Sequence, residues 1–450
     1  MNVKRLLHNK VFTNASWIIV CKVIQSVLSL VISMLTARYL GPSFFGLINY
    51  AGGIVSFLAP IMELGFTGIL VQELIDHPEE EGRIMGSSML LSLASSLLCI
   101  LGAVGFCAVA NAGETLTLWV CALYSLCLIF RALELFRYWF QAKYLSKDTS
   151  LVSLVAYAAV FVYRVILIFT GRDVQWFAVS FAFDSALIAL ILFILYIRRG
   201  GQRLAFSGTV ARRMLRSGVY YILSGLMVAV FAETDKIMLK LMVDDAACGY
   251  YSAATTCAAM AGFVFQAIVD AFRPYIFESL RKSRAWFELN VKRLYSIIIY
   301  ACLLESVCMA LLSRFVILIL YGEAYMAAVP MLRVSVWYIT FSFLGVVRNI
   351  WLLAEGKQKY LWIINLGGAL ANILLNLCLI PLWGGIGAAA ASVITQVFTN
   401  VLVGWIIPSI RDNNRLMMAA LHPKYLIGML RGSGGDLPSD EEHAGDAPRD

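Results

Sequence analysis

FTNASWIIVCKVIQSVLSLVISMLTA, residues 12–37, carries a single charge, Lys22, in 26 positions. A hydrocarbon core about 30 Å thick is crossed by about 20 helical residues rising about 1.5 Å each, so this run is long enough to span a bilayer. It is too long for a signal-peptide core and lacks a small-residue cleavage pattern, so it is expected to stay in the protein as its first helix.

Eleven further apolar runs follow, near residues 46–74, 84–109, 114–137, 150–170, 174–197, 217–243, 249–278, 293–321, 327–354, 361–382 and 385–409. The chain has 450 residues, 60% of them hydrophobic and 14% charged, and a mean hydropathy of +0.79, which is a membrane composition. Alternating segments of about ten residues, the signature of a membrane barrel, do not occur. The expected fold is therefore an all-α membrane protein of about twelve transmembrane helices in two six-helix lobes. The lobes are residues 1–197 and 217–410, joined by a basic linker, 198–216, and followed by a tail, 411–450, disordered toward its Gly-rich acidic end.

A weak internal echo accompanies this division: Leu40, Gly41, Gly46, Leu47 and Ala51 line up with Val243, Asp244, Gly249, Tyr250 and Ala254. Six spans per half give both repeats one orientation, with a substrate site expected where they meet. Lysine and arginine set the polarity. Roughly 24 fall in segments on the N-terminal side, among them Arg198 to Arg216, against Arg38 and Arg172 opposite, so both termini are expected in the cytoplasm.

Charged side chains inside spans are costly and mark cavities or pathways. Arg131 with Glu134, Glu233 with Lys236 and Asp270 with Arg273 have an opposite charge at i,i+3 and read as local pairs. Lys22, Arg164 and Arg348 have no acid at i±3 or i±4 and are the candidate anion-binding cations. Lys22 stands first because Ser26, Ser29 and Ser33 continue a polar stripe from it along helix 1, although its long stem also permits snorkelling to the headgroups. Arg273, Lys236, Ser26 and Asn372 complete the candidate substrate-binding set. Asn372 shares a helix face with Asn365 and Asn376, where amides suit sugar hydroxyls or interhelical packing.

Glu63, Asp184 and Glu305 are mid-span acids without such partners and, with Asp235, are candidates for gating or for coupling to an ion, H+ or Na+. His8, His77, His422 and His443 all lie outside the spans, so a proton relay would use carboxylates. The ten cysteines read as small buried apolar residues with no metal-ligand spacing, and no cofactor is expected.

Four stretches in order resemble a known family: Ala37 to Pro42 with Gly46; Thr234 to Ile237 leading to Gly249 to Ala254; Tyr321 to Tyr325; and Asn372, Asn376, Leu379 to Pro381 and Gly384 to Ala388. Over roughly residues 10–410 the chain looks like the polysaccharide transporter family, the O-antigen or lipid-linked repeat-unit flippases of the multidrug/oligosaccharidyl-lipid/polysaccharide exporter superfamily. The resemblance implies a V-shaped, MATE-like bundle in the bacterial inner membrane. It would carry an undecaprenyl-diphosphate-linked oligosaccharide from the cytoplasmic to the periplasmic leaflet by alternating access, for O-antigen, capsule or exopolysaccharide synthesis. Cationic side chains in its cavity would receive the diphosphate, which needs several positive donors. Membrane lipids, a repeat-unit polymerase and a chain-length regulator are the implied partners, and nucleic acid is not among them. No lysine or arginine role transfers by motif, and Asp235 sits in a matched stretch.

Three rivals differ in what they need. A cation-coupled multidrug exporter of the same fold needs cavity acids for cationic drugs, and a lipid II-type flippase usually adds two helices, which the sequence after Ile407 does not supply. A membrane polymerase or glycosyltransferase, the enzymatic alternative, calls for a large outer loop or an acidic metal cluster, and the sequence shows neither.

Overall fold

A computed structural model describes the backbone of residues 10–430 and the side chains of Cys21 and residues 23–428. The acidic tail beyond residue 430 and the side chain of Lys22 lie outside the described residues. In chain order the helices are α1 (Lys10–Met62), α2 (Phe66–Asp76), α3 (Glu81–Ala110), α4 (Thr115–Ser125), α5 (Cys127–Leu133), α6 (Phe136–Ala142), α7 (Ser146–Phe169), α8 (Val174–Arg198) and α9 (Gly208–Met242). They continue with α10 (Asp245–Ala258), α11 (Gly262–Lys282), α12 (Arg284–Tyr321), α13 (Ala328–Ala354), α14 (Tyr360–Trp383) and α15 (Gly385–Val397), and shorter helices close the chain. No strand occurs among the described residues.

The first apolar stretch shows how sequence becomes topology. Val23–Asp76 is one helical run of 54 residues, and straight it would reach about 81 Å, far beyond the bilayer core. Gly41 breaks it, with φ +74 and ψ 173, a conformation essentially reserved for glycine, and Pro42 follows with no N–H to offer the preceding turn. The chain reverses there. On the first arm Tyr157 Oη donates to Ser29 Oγ (3.1 Å) and Tyr39 Oη to the Arg172 carbonyl (3.0 Å), so the arm runs alongside α7 in the same direction. On the second arm Tyr50 Oη donates to Asn111 Oδ1 (2.7 Å) and Ser95 Oγ to the Ile61 carbonyl (2.9 Å), so it runs back against α3. Among the described residues eleven helical runs are long and apolar enough to cross a membrane. With the first folded at Gly41 they make twelve helical passes.

Contacts group the chain into two compact units, Met1–Ser252 with Leu320–Tyr325, and Ala253–Ile319 with Met326–Asp450. The division falls later in the chain than the basic segment 198–216. That segment is itself docked on α3: Ala205 N–H donates to the Gly82 carbonyl (3.0 Å) and Ser207 N–H to Ser87 Oγ (2.9 Å). After it, α9 lies against the second arm of α1 and the break that follows it, where a Cβ on Gly218 would stand 2.2 Å from the Leu64 carbonyl oxygen.

In the first unit the apolar interior at one end is built on Phe136, Trp139 and Tyr196, with Trp139 and Tyr196 edge to face at 4.9 Å. This end carries the ion pairs Lys143–Glu81 (3.0 Å), Arg199–Asp148 (2.8 Å) and Arg213–Glu73 (3.0 Å). At the opposite end the buried Lys240 ammonium joins Glu114 (2.7 Å) and Asp245 (2.9 Å). Hydrogen bonds from Lys240 and then Thr117 hold the Glu114 carboxyl below the usual carboxylate range. The Tyr321 to Tyr325 stretch is fixed at this same end, Tyr325 Oη donating to the Ala37 carbonyl at 2.9 Å.

In the second unit α15 runs into a π-helical turn, Phe398–Leu402. Cys308 and Cys378 are exposed, whereas the other eight cysteines are buried. Cys308 and Cys378 therefore depart from the expected buried role; the side of α12 that carries Cys308 faces outward with Leu304 and Leu311.

Candidate functional site

A polar cavity of about 230 Å³ lies inside the first unit. Helical periodicity supplies its walls. Ser29, Ser33 and Thr36 recur along one face of the first arm of α1, and Asn49, Gly52 and Ser56 along one face of the second. Tyr157 and Arg164, two turns apart, come from α7, and Phe177 and Phe181 from α8. Tyr124 on α4 stacks on Phe181 at 4.2 Å, and a Cβ on Gly52 would meet the Tyr124 hydroxyl at 3.0 Å, so glycine there lets this aromatic wall close in. Phe45 and Ile48 on the second arm of α1 and Glu233 and Lys236 on α9 complete the lining.

The charges of the cavity do not cancel. Lys236 Nζ holds Glu233 Oε2 at 2.8 Å, an internal pair. Arg164 has no carboxylate within 4.0 Å among the described residues; its Nε donates to Ser180 Oγ (2.8 Å) and its guanidinium lies 4.3 Å from the centre of the Phe181 ring. An aromatic face and a hydroxyl stabilise a cation without neutralising it. Among the described lining residues this leaves one net positive charge, on a planar fork of donors, the geometry that receives carboxylate or phosphate oxygens.

Of the residues singled out in the sequence, the structure brings Arg164 and Lys236 to this cavity, together with Ser29 and Ser33 of the helix 1 stripe. Ser26 is exposed about one turn before Ser29. Arg348, Arg273, Asn372 and Glu305 belong to the second unit. Arg348 is 4% exposed and donates to the Thr399 carbonyl (2.7 Å) in the π turn, where the widened helix frees a backbone acceptor, and to Asn349 Oδ1 (3.1 Å). Arg273 forms an exposed pair with Asp270 (3.4 Å), and Asn372 is fully buried, accepting from Asn376 Nδ2 (3.2 Å). Both Glu305 carboxylate oxygens are buried without a hydrogen-bond partner.

Asp235 points away from the cavity-lining face of α9 and accepts a hydrogen bond from Tyr251. Glu63 occupies the break between α1 and α2, where Leu64 and Gly65 both have positive φ. Asp184 lies one helical turn beyond Ser180 on α8, its Oδ1 buried with no hydrogen-bond partner. One expected pair is corrected: Glu134 joins Arg137 at 2.9 Å instead of Arg131. The cause is the break between α5 and α6, which places Glu134 in the turn and sets it toward the arginine that follows. Tyr124, Tyr157 and Phe181 were not foreseen as lining residues, because aromatic residues in an apolar run give no sign of which face is wet.

The sequence profile described as "polysaccharide biosynthesis protein" matches residues 11–280, more than half of the chain. The chain belongs to that family. Every described residue that lines the cavity lies inside the matched stretch. An uncharacterized membrane protein of Methanocaldococcus jannaschii is 25% identical over 313 residues, covering 66% of this chain and 59% of that protein, so the match spans about three fifths of the relative's length. Among solved structures, the lipid II flippase MurJ in an inward closed conformation aligns with TM-score 0.73 and 14% identity over 93% of each chain. An inward-facing multidrug resistance MATE family transporter of the MOP superfamily aligns with TM-score 0.68 and 14% identity over 88% of this chain and 95% of that one. At such identities the likeness shows the fold, and the polysaccharide biosynthesis family here has the fold of the MOP superfamily.

Proposed function

We propose that the protein is a flippase for undecaprenyl-diphosphate-linked oligosaccharide repeat units, moving them from the cytoplasmic to the periplasmic leaflet by alternating access for surface polysaccharide synthesis. The observation that carries this reading is the polar cavity whose described lining is net positive, in which Arg164 has a hydroxyl and an aromatic ring as partners and no carboxylate within 4.0 Å among the described residues. An anionic headgroup fits such a site and a cationic drug does not, because the cavity carboxylate, Glu233, is already held by Lys236. Membership of a polysaccharide biosynthesis family supports a glycan-bearing substrate, and the serine, asparagine and tyrosine walls offer donors and acceptors for sugar hydroxyls.

The same reading puts the Lys143, Arg199 and Arg213 end of the first unit, and both termini, in the cytoplasm of a bacterial inner membrane, since positive charge is retained on that side. A repeat-unit polymerase and a chain-length regulator would then act on the delivered product.

Binding checks the cavity directly. Radiolabelled undecaprenyl-diphosphate oligosaccharide should bind the detergent-purified chain and be displaced by unlabelled undecaprenyl diphosphate, but not by a cationic dye. Displacement by the dye with no effect of the diphosphate would favour the multidrug exporter instead.

A further inference from the structure

We propose that Arg212 and Arg216 form a seat for the phosphate of an anionic phospholipid, at the end of the first unit where α9 meets the bilayer surface. The inference is independent of what the cavity carries, and it makes a membrane lipid a bound ligand of the folded chain.

The first turns of α9 hold three arginines in different surroundings. Val210, Ala211, Met214 and Gly218 are buried and mark the inward face of the helix. Arg213, on the flank of that face, meets Glu73 at 3.0 Å and Glu80 at 3.1 Å. Arg212 and Arg216 are exposed on the outward face, and neither has a carboxylate within 4.0 Å among the described residues. At i,i+4 their Cβ atoms are about 5–6 Å apart, so two like charges stand side by side and weaken the helix until an anion joins them. A phosphate has oxygens enough to accept from both guanidinium groups at once.

Depth along α9 decides which phosphate. The helix has 35 residues and reaches about 52 Å, against a hydrocarbon core about 30 Å thick, so its ends project into the headgroup layers. Val219 and Leu223, about one and two turns beyond Arg216 on the same face, are exposed and apolar. The basic pair therefore stands where the outward face turns from charged to apolar, which is the level of the lipid headgroups.

The segment that leads into α9 fits the same surface. Its backbone is pinned on α3: Gln202 N–H donates to Glu81 Oε1 (3.1 Å), Ala205 N–H to the Gly82 carbonyl (3.0 Å) and Ser207 N–H to Ser87 Oγ (2.9 Å). A Cβ on Gly86 would stand 2.4 Å from the Ala205 carbonyl oxygen, so strap and helix touch main chain to main chain. Leu204 and Phe206 are left 40% and 58% exposed, between Arg203 and Arg212 in the chain, and the pinned backbone keeps them from turning inward. Exposed apolar side chains beside unneutralised cations suit a surface with acyl chains below and anionic headgroups above. A soluble acidic protein or a free phosphate would satisfy the arginines and leave Leu204 and Phe206 uncovered.

The test uses the full chain in neutral detergent, with dioleoyl phosphatidylglycerol and dioleoyl phosphatidylcholine as probes and lipid retention counted by native mass spectrometry. Each cation near an anionic surface adds about fivefold to affinity, so Arg212→Gln combined with Arg216→Gln should weaken phosphatidylglycerol binding at this site about 25-fold and remove one retained molecule, with phosphatidylcholine unchanged. Arg411→Gln combined with Arg415→Gln makes the same change in charge at arginines already engaged, by the Trp405 carbonyl (3.1 Å) and Asp412 (3.5 Å), and should retain phosphatidylglycerol as the intact chain does. Equal retention by the intact chain and the Arg212 and Arg216 variant would overturn the proposal, as would an equal loss in both double variants. Displacement of the lipid by glycerol 3-phosphate at the same concentration would make this a free-phosphate site and overturn it too. If the double variant does not fold, Arg216→Gln alone decides: about fivefold weaker binding is expected, and unchanged binding overturns the proposal.

Discussion

Replacing Arg164 with alanine is expected to abolish most of the transport while leaving the fold in place. A hydrogen bond to a charged group contributes about 1.5–3 kcal/mol, and about 1.4 kcal/mol is a factor of ten, so the loss in affinity for a diphosphate should be about ten- to a hundredfold. The fold survives because, among the described residues, Arg164 has no carboxylate within 4.0 Å that truncation would strand; the Ser180 hydroxyl that it leaves also donates to the Phe177 carbonyl (2.6 Å). Arg164→Lys keeps the charge and loses the planar fork, so it should fall between the two. The readout is binding and transport of the lipid-linked oligosaccharide beside the thermal unfolding midpoint. A transport loss matched by a fall in the midpoint would make Arg164 structural.

Valine at Gly46 or Gly249 is expected to prevent folding altogether. The backbones of α1 and α10 touch here: a Cβ on Gly46 would stand 1.8 Å from the Asp245 carbonyl oxygen, and one on Gly249 would stand 2.1 Å from that of Pro42. Both neighbours are backbone, so relief requires moving a helix by more than an ångström. Overpacking alone costs about 1–3 kcal/mol where side chains can adjust, and a clash between main chains costs more, against a total stability of about 5–15 kcal/mol. Gly102→Val is the control, since nothing lies within 4 Å of its Cβ position. Size-exclusion profiles in detergent should show aggregate for the first two variants and a normal peak for the third.

These glycines also show what the sequence could and could not say. The stretches Ala37 to Gly46, Gly249 to Ala254 and Tyr321 to Tyr325 carried the family resemblance, and the structure gathers them at one end of the first unit. They record a seam of close backbone approach, not a binding motif. The helical passes were legible because a span must be apolar over most of its length, and the interval between the runs 12–37 and 46–74 separates the two arms that the structure folds at Gly41. The i,i+3 rule paired Glu233 with Lys236, which meet at 2.8 Å, because α9 is continuous there. It failed for Arg131 because the helix breaks at Glu134, and a break inside an apolar run leaves no mark in composition. Arg348 was opaque for a different reason: its partner is a main-chain carbonyl in a π turn, which no pattern of charges can reveal. The convergence of α1, α7 and α9 on one cavity depends on tertiary packing, which leaves no pattern along a single helix.

The most direct test of the account is translocation itself. The intact protein is reconstituted into liposomes with a fluorescently labelled undecaprenyl-diphosphate oligosaccharide, and the label is then quenched from outside by a membrane-impermeant reagent. The account predicts that the protein exposes the inner-leaflet pool many times faster than protein-free liposomes do, and that Arg164→Ala removes most of the difference. An inner pool that stays protected while the same vesicles export a cationic dye would contradict it.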